Sequence, residues 1–533
     1  MKLKNVFVLF LSVFAIISFS CEDLTKSLNH YTNNGGGGGN SWPSPKLPDV
    51  LTEDEFLAVL HLDENPVRAP DEVTEIVNDF ISVVVVRNTG TGNVPVITDM
   101  ETFDVSIDNG FVVRDMDSGE ETIPGPSVLP FYRYNVVHPA TGTEGAIIAS
   151  GDKRIGTIIA YIEHETDDAV VTPFMQTLMA NLEDYVNMTI DRYNSIPADD
   201  IESAVQKSGS IASSQNQTEQ AVQVNKDILY ITTTGFHPLT RNTEWNQDYG
   251  YWEIVNAARG THQHYVGCVA VAMGQLMAFH KWPGVCSLEG GGFTNPFNSD
   301  EAVNFHLFGY NWQAMTAGKD ASGLSPAGKL GINILLYEAG VKVNMQYGTD
   351  KSSAYMSNIP AALAGMAYDV SESAVRPYNI DTIVTSINKQ QPVIIGAQAL
   401  QITETYTWTT IEHFWLDIFH WFDEEVTHTG TRTRYEGGHA WVIDDYEIVY
   451  NEEPGYNSTE SYYWTDYFVH CNLGWGGWKD GWYRSGLFDT NREIIDNTMK
   501  NIVPGLQCTV VQGEHSYFRY KMEIIPFLKP DYD

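Results

Sequence analysis

One cysteine constrains this chain more than any other residue. Cys268 follows Val266-Gly267 and opens the run Val269-Ala270-Val271-Ala272-Met273-Gly274-Gln275-Leu276-Met277-Ala278-Phe279-His280, which Lys281-Trp282-Pro283 closes. Ala, Met, Gln and Leu favour a helix and Pro283 stops it, so the spacing predicts a mostly buried helix with the sulfur in its first turn. The unpaired N–H groups and positive dipole end of that turn favour thiolate over thiol. Only the thiolate is a good nucleophile, so the position carries chemistry if a histidine is brought alongside.

The candidate histidine lies far downstream. Glu436-Gly437-Gly438-His439-Ala440-Trp441-Val442-Ile443-Asp444 places His439 at the start of a β-branched run that reads as a strand. The two glycines before it leave room for another backbone or a substrate. A further strand ends in the turn His470-Cys471-Asn472-Leu473-Gly474-Trp475-Gly476-Gly477-Trp478-Lys479-Asp480-Gly481-Trp482-Tyr483. Cys on a helix, His on a strand and Asn on the next strand is the chain order of a papain-like cysteine peptidase.

Together these segments resemble the streptopain family of secreted bacterial cysteine peptidases, in the form of a lipoprotein zymogen of Bacteroidetes type. That family carries a Gly-Cys-Val-Ala helix, a Gly-Gly-His-Ala strand and an Asn-x-Gly-Trp-Gly-Gly turn. Tyr310-Asn311-Trp312, Gly340–Gly348 and Gln391-Pro392-Val393 resemble further family segments, and Ile147–Arg154 resembles the family's propeptide signature. The resemblance covers most of residues 140–530. It implies an α+β fold, with a papain-like peptidase domain of a helical half facing a twisted antiparallel sheet, preceded by an α+β prodomain. It also implies that Cys268 attacks a scissile carbonyl and His439 holds the thiolate, then protonates the leaving amine. Gln247 matches the position whose side-chain amide forms an oxyanion hole with the Cys268 backbone N–H. Asn472 and Trp475 match positions that orient or support the histidine. Where the family motif has a Trp directly after its Asn, this chain has Leu473. For Trp475, Trp478 and Trp482, core and turn packing is the competing reading.

The chain has 533 residues, enough for two or three domains. Hydrophobic residues make up 43% and aromatic residues 12%, so large cores can be buried. The net charge of −37, from 31 basic and 68 acidic residues, argues against nucleic-acid partners and against electrostatic attraction to anionic lipid. Met1-Lys2-Leu3-Lys4 and apolar Val6–Phe19 form a signal segment too short for a membrane span. Ser18-Phe19-Ser20-Cys21 points to a lipoprotein signal with Cys21 lipidated after cleavage, an ordinary secretion signal with an incidental Cys being the alternative. The expected location is therefore exported and lipid-anchored, on a periplasmic or cell-surface face.

The expected organisation is a signal peptide at 1–20, a flexible tether at 21–49, an inhibitory prodomain at 50–204, a cleavable linker at 205–225 and the peptidase at 226–533. Thr52-Glu53-Asp54-Glu55 reads as a helix cap, Ser82–Val86 and Gly145–Ala149 as strands, and Phe174, Leu178, Leu182, Tyr185 and Val186 as one helix face. Ser208–Gln217 is small and polar, a linker by composition. A permanent accessory domain is the alternative to a prodomain. Tyr520–Pro526 reads as the last strand.

Cys286, Cys471 and Cys508 show no disulfide or zinc spacing, and buried free thiols are expected. His262, His264 and His280 lack a supporting motif. His413, Asp417 and His420 have ligand-like helical spacing, but no third strong ligand completes a site, so neither metal nor cofactor is expected. Thr403–Tyr435 is dense in aromatics and reads as an extended hairpin, or as a flap that narrows substrate choice. The expected partners are protein or peptide substrates, the chain's own prodomain as inhibitor, and a membrane through the lipid anchor. An endopeptidase zymogen is the leading function. Papain-like amidase or transglutaminase-type acyl transfer is the alternative, and an inactive surface-binding lipoprotein is a third class, which the intact motifs oppose.

Overall fold

The computed structural model describes residues 66–82, 94–114, 121–165, 173–196, 229–231, 240, 243–398, 400–412, 424–436, 438–454, 461–488 and 520–532. The expected signal segment with Cys21, the tether, the Thr52–Glu55 cap, the 205–225 linker, His413, Asp417, His420 and Cys508 lie outside them. So does most of Ser82–Val86; its first residue belongs to a helical turn rather than a strand.

The fold is α+β. Helix α1 (Pro70–Phe80) has Pro at its start and Asp71 and Glu72 in its first turn, where a fixed φ and negative charge suit a helix N-terminus. Its Val73, Val77 and Phe80 recur at helical spacing and are buried. Strands β1 (Val96–Ile107), β2 (Ser127–Val137), β3 (Glu144–Ser150) and β4 (Ile158–Ile162) form an antiparallel meander. Helix α2 (Pro173–Ser195) lays Leu182, Tyr185, Val186, Ile190 and Tyr193 on that sheet.

The helical half follows: α3 (Glu253–Arg259), α4 (Cys268–His280), α5 (Pro326–Lys342) and α6 (Ile359–Ala364). Ser325 caps α5 by accepting from the Gly328 N–H at 3.2 Å. Helix α4 is buried from Val269 to Ala278, as its nearly continuous apolar sequence requires. It ends at His280, where Lys281 turns left-handed, three residues before Pro283. Helix α7 (Ile380–Asn388), capped by Asn379, leads into the sheet half.

That half comprises β5 (Leu229–Ile231), β6 (Val393–Gln398), β7 (Leu400–Glu412), β8 (Glu424–Glu436), β9 (His439–Pro454), β10 (Ser461–Asn472), β11 (Gly481–Arg484) and β12 (Tyr520–Ile525). β7 and β8 pair with each other from Leu400↔Glu436 to Glu412↔Glu424, giving the extended hairpin that the aromatic stretch predicts. The others join the meander in one 11-stranded sheet, ordered β1-β2-β3-β4-β11-β10-β9-β6-β12 and ending at Arg376–Pro377, with β5 on β9.

Sequence reading treats the N-terminal unit as self-contained, but its sheet and core run on into the rest of the chain. β4 pairs antiparallel with β11 through Ile162↔Gly481, Tyr161↔Trp482 and Ala160↔Tyr483. One core holds Ile148, Ala160 and Tyr185 together with Trp441, Ile443, Val469 and Tyr483. A second joins Val73, Phe80 and Tyr134 to Phe468 and Trp482. A third fills the helical half and reaches the sheet through Ile394, Ala440 and Val442. Among the described residues no helix is long and apolar enough to cross a membrane.

Candidate active site

Cys268 sits at the start of α4, where the chain arrives through Gly267 at φ 91°. A Cβ there would also meet the Met345 sulfur at 2.7 Å, so only glycine fits the backbone and the packing together. The backbone N–H groups of Ala440, Val269 and Cys268 itself act on the sulfur in the direction of the thiolate. The first comes from the residue after His439, and it ties the helix start to the start of β9.

The His439 ring is buried between aromatic faces. It stacks on Trp475 with ring centroids 4.4 Å apart and on Trp441 at 5.7 Å. Its Nε2 lies 2.8 Å from the backbone carbonyl oxygen of Leu473. A carbonyl only accepts, so Nε2 carries the proton, and in the neutral ring Nδ1 is left as a proton acceptor.

Asn472 does not perform the direct orienting task that the papain-like pattern assigns to it. Its Oδ1 accepts from Gln275 Nε2 at 2.6 Å and from the Gly474 N–H at 3.2 Å. Its Nδ2 donates to the Thr240 hydroxyl at 2.9 Å and the Thr243 carbonyl at 3.1 Å. Asn472 thus anchors the turn to α4, and the neighbouring Leu473 carbonyl meets the imidazole. The missing Trp after Asn472 costs the site no backbone acceptor, because any residue supplies a carbonyl. Gly474, at φ 70°, packs where a Cβ would lie 2.9 Å from Val271.

Gln247 is half-buried on the loop that runs beside the helix start. Its carbonyl accepts from the Val266 N–H at 3.0 Å, two residues before Cys268. Its side-chain amide has no hydrogen-bond partner among the described residues, which leaves the group unengaged. The same loop holds the Trp475 turn, since Gly476 N–H donates to the Trp245 carbonyl at 3.0 Å. Helix start, Gln247 loop and Trp475 turn are therefore one bonded unit.

Burial sets the charge states. Desolvation pushes the Cys268 thiol up, outweighing the three N–H groups aimed at it. It pushes His439 down to about 4 despite the Leu473 carbonyl. Desolvation thus works against the charged form of both groups and opposes the thiolate that the helix N-terminus favours.

Sequence reasoning missed Gln275, the one polar side chain within the buried stretch Val269–Ala278 of α4. That isolation was the available signal. It also missed the charged layer behind the turn. His470 Nδ1 and Asp444 Oδ1 lie 2.5 Å apart, and Asp444 Oδ2 accepts from Thr240 N–H at 2.9 Å. Burial lowers His470, but Asp444 and Glu163 raise it further, to about 10. Asp480 Oδ1 accepts from the Leu473 N–H at 2.8 Å, and burial with help from Asp444 and Glu163 pushes that carboxyl up to about 8. Asp445 is likewise pushed up to about 8 by burial and Asp444.

The remaining histidine candidates do not join the site. His280 packs on Tyr368 and Phe279 and is lowered to about 4 by burial, and His262 is exposed. His264 offers its carbonyl to Asn256 Nδ2 at 3.3 Å. Cys286 and Cys471 are free and buried. Among the described residues no group of three or more His, Cys, Asp and Glu could hold a metal ion.

An α+β fold that brings a helix-start cysteine to the head of a histidine-bearing strand is the arrangement that papain-like cysteine peptidases use. Residues 245–483 match the profile of the peptidase C10 family. That segment holds Gln247, Cys268, His439 and Asn472, and the similarity supports a cysteine peptidase of streptopain type. The chain is 24% identical to streptopain of Streptococcus pyogenes serotype M1 over 374 residues, which is 66% of this chain and 73% of that protein. It is 29% identical to the thiol protease/hemagglutinin PrtT of Porphyromonas gingivalis over 124 residues, 22% of this chain and 14% of that one. Among solved structures, prointerpain A of Prevotella intermedia aligns with 74% of this chain and 94% of its own at 15% identity, with a TM-score of 0.39.

Proposed function

We propose that the chain is an endopeptidase made as a zymogen, which cleaves peptide bonds through Cys268 and His439. His439 Nδ1 takes the thiol proton and the thiolate attacks the scissile carbonyl carbon. The oxyanion is met by the Cys268 N–H and the Gln247 amide. His439 then returns the proton to the leaving amine, which departs as the C–N bond breaks and leaves a thioester on Cys268. Water, deprotonated by the same ring, cleaves the thioester and regenerates the thiol. The observation that carries this reading is the Nε2 contact with the Leu473 carbonyl, because it turns the basic Nδ1 face away from the turn.

Latency rests on a second observation. Desolvation disfavours the charged forms of Cys268 and His439, and β4 of the N-terminal unit is hydrogen-bonded to the strand that follows the histidine-holding turn. In this reading residues 50–204 are the inhibitory prodomain and a cut within 205–225 begins maturation. Cys21 carries the lipid that holds the protein on an exported membrane face, and proteins or peptides outside the cell membrane are the substrates.

The test is full-length Cys268→Ala protein expressed beside wild type. No casein hydrolysis and accumulation at full length are expected, with an unchanged unfolding midpoint. Hydrolysis by the purified variant would remove the mechanism, and appearance of its mature form would assign the cut to another peptidase.

A further inference from the structure

We propose that Asp480 is a positioning residue for His439, acting through Leu473. The proposal rests on the Cys268–His439 reading and adds a residue that the active-site motifs do not contain. Leu473 is buried and held from both sides. Its N–H donates to Asp480 Oδ1 at 2.8 Å, and its carbonyl accepts the His439 Nε2 proton at 2.8 Å. The flanking glycines, Gly474 at φ 70° and Gly476 at φ 71°, cannot set that carbonyl's direction by themselves, since glycine is free on both sides of φ zero. The Asp480 carboxyl closes the turn from Leu473 to Asp480 on itself and fixes the acceptor.

Asp480 is in turn fixed from outside the turn. Its carbonyl accepts the Glu163 N–H at 2.9 Å, and the adjacent Lys479 N–H donates to the His164 carbonyl at 3.0 Å. Across the strands it faces His470, Asp444 and Glu163, with Cys471 and Tyr483 beside it. A continuous series of hydrogen bonds thus runs from the end of β4 through Asp480 and Leu473 to the imidazole. The task requires an acceptor at this place and not a charge, because the partner is a neutral amide.

The test compares D480A, D480N and H439A in the full-length protein, allowed to process and assayed on casein and a peptide substrate. D480A should lower kcat by about 10- to 100-fold, the cost of a misplaced catalytic group, with KM within about threefold. D480N keeps the acceptor and should restore kcat to within about threefold of wild type. If D480A does not fold, D480S, whose hydroxyl is too short to reach Leu473, replaces it in the comparison. Wild-type kcat in a folded D480A or D480S overturns the proposal, and so does an equal loss in D480N. H439A separates the two levels of inference. If it is inactive while D480A is fully active, only the role of Asp480 falls; if it is fully active, the Cys268–His439 reading falls with it.

Discussion

Glu165→Gln loosens the junction between the two halves from the N-terminal side, leaving every peptidase residue untouched. The Lys479 ammonium, with 3% of its side chain exposed, is paired with one oxygen of Glu165, and Arg133 Nη2 lies 2.8 Å from the other. Glutamine keeps the volume and removes the charge, so Lys479 loses its buried partner, while Arg133, a quarter exposed, keeps Glu101 3.8 Å away. Removing one partner of a buried pair costs about 3–5 kcal/mol. Lys479 can limit that cost by losing its proton, since burial already pushes its pKa down, so the low end, about 3 kcal/mol, is the better expectation. Three kcal/mol corresponds to about a hundredfold in the population of the opened junction. Hydrogen exchange at the amides of 158–162 and 481–484 reads that population directly, and both segments should lose protection together. Iodoacetamide labelling of Cys268 in the full-length variant should accelerate in parallel if the junction governs latency. Unchanged exchange in a folded Glu165→Gln protein would refute the electrostatic reasoning. Faster exchange without faster labelling would refute the link to latency.

Gln247→Ala should lower kcat by about two to three orders of magnitude with KM nearly unchanged, as for a donor used mainly in the transition state; steady-state kinetics on a peptide substrate decide, and a normal rate would place the oxyanion donor elsewhere. In the uncut chain Cys268 labelling should stay slow at neutral pH and rise only above the ordinary thiol range, because burial raises its pKa; a fast plateau between pH 5 and 7 would mean that a thiolate–imidazolium pair already exists. A single cut within 205–225 should leave both fragments co-eluting in gel filtration, since they share a sheet and two cores, and separation without denaturant would show that these contacts are too weak to hold them.

The helix at Cys268 and the strand at His439 were legible because local pattern determines them. An apolar run after Gly-Cys, and a β-branched run after two glycines, each allow one secondary structure. What the side chains of Asn472 and Gln275 bond to was not legible, because their 2.6 Å contact depends on how α4 lies across the end of β10. The desolvation that opposes a thiolate was not legible for a related reason. The helix N-terminus is visible in sequence, while the desolvation that outweighs it comes from segments packed around it in three dimensions. The β4–β11 pairing was invisible as well. Ile158-Ile159-Ala160-Tyr161-Ile162 announces a buried strand, but its partner Gly481–Arg484 lies more than three hundred residues away and carries no mark of it.

Departure of β4 would also create a surface problem. Gly481–Arg484 would change from an interior strand of the sheet to an open border with unpaired N–H and C=O groups, the kind of border onto which foreign strands add. The border is only four residues long, Lys479 stands just before it, and Arg484, at its end, is held by Asp466 through a 2.9 Å contact that does not involve β4. Shortness and flanking positive charge are what natural sheets use to keep such borders from pairing with other chains. The same Arg484 that donates to the Ile158 carbonyl at 2.8 Å while β4 is in place would, once β4 is gone, stand guard over the strand that it had helped to cover.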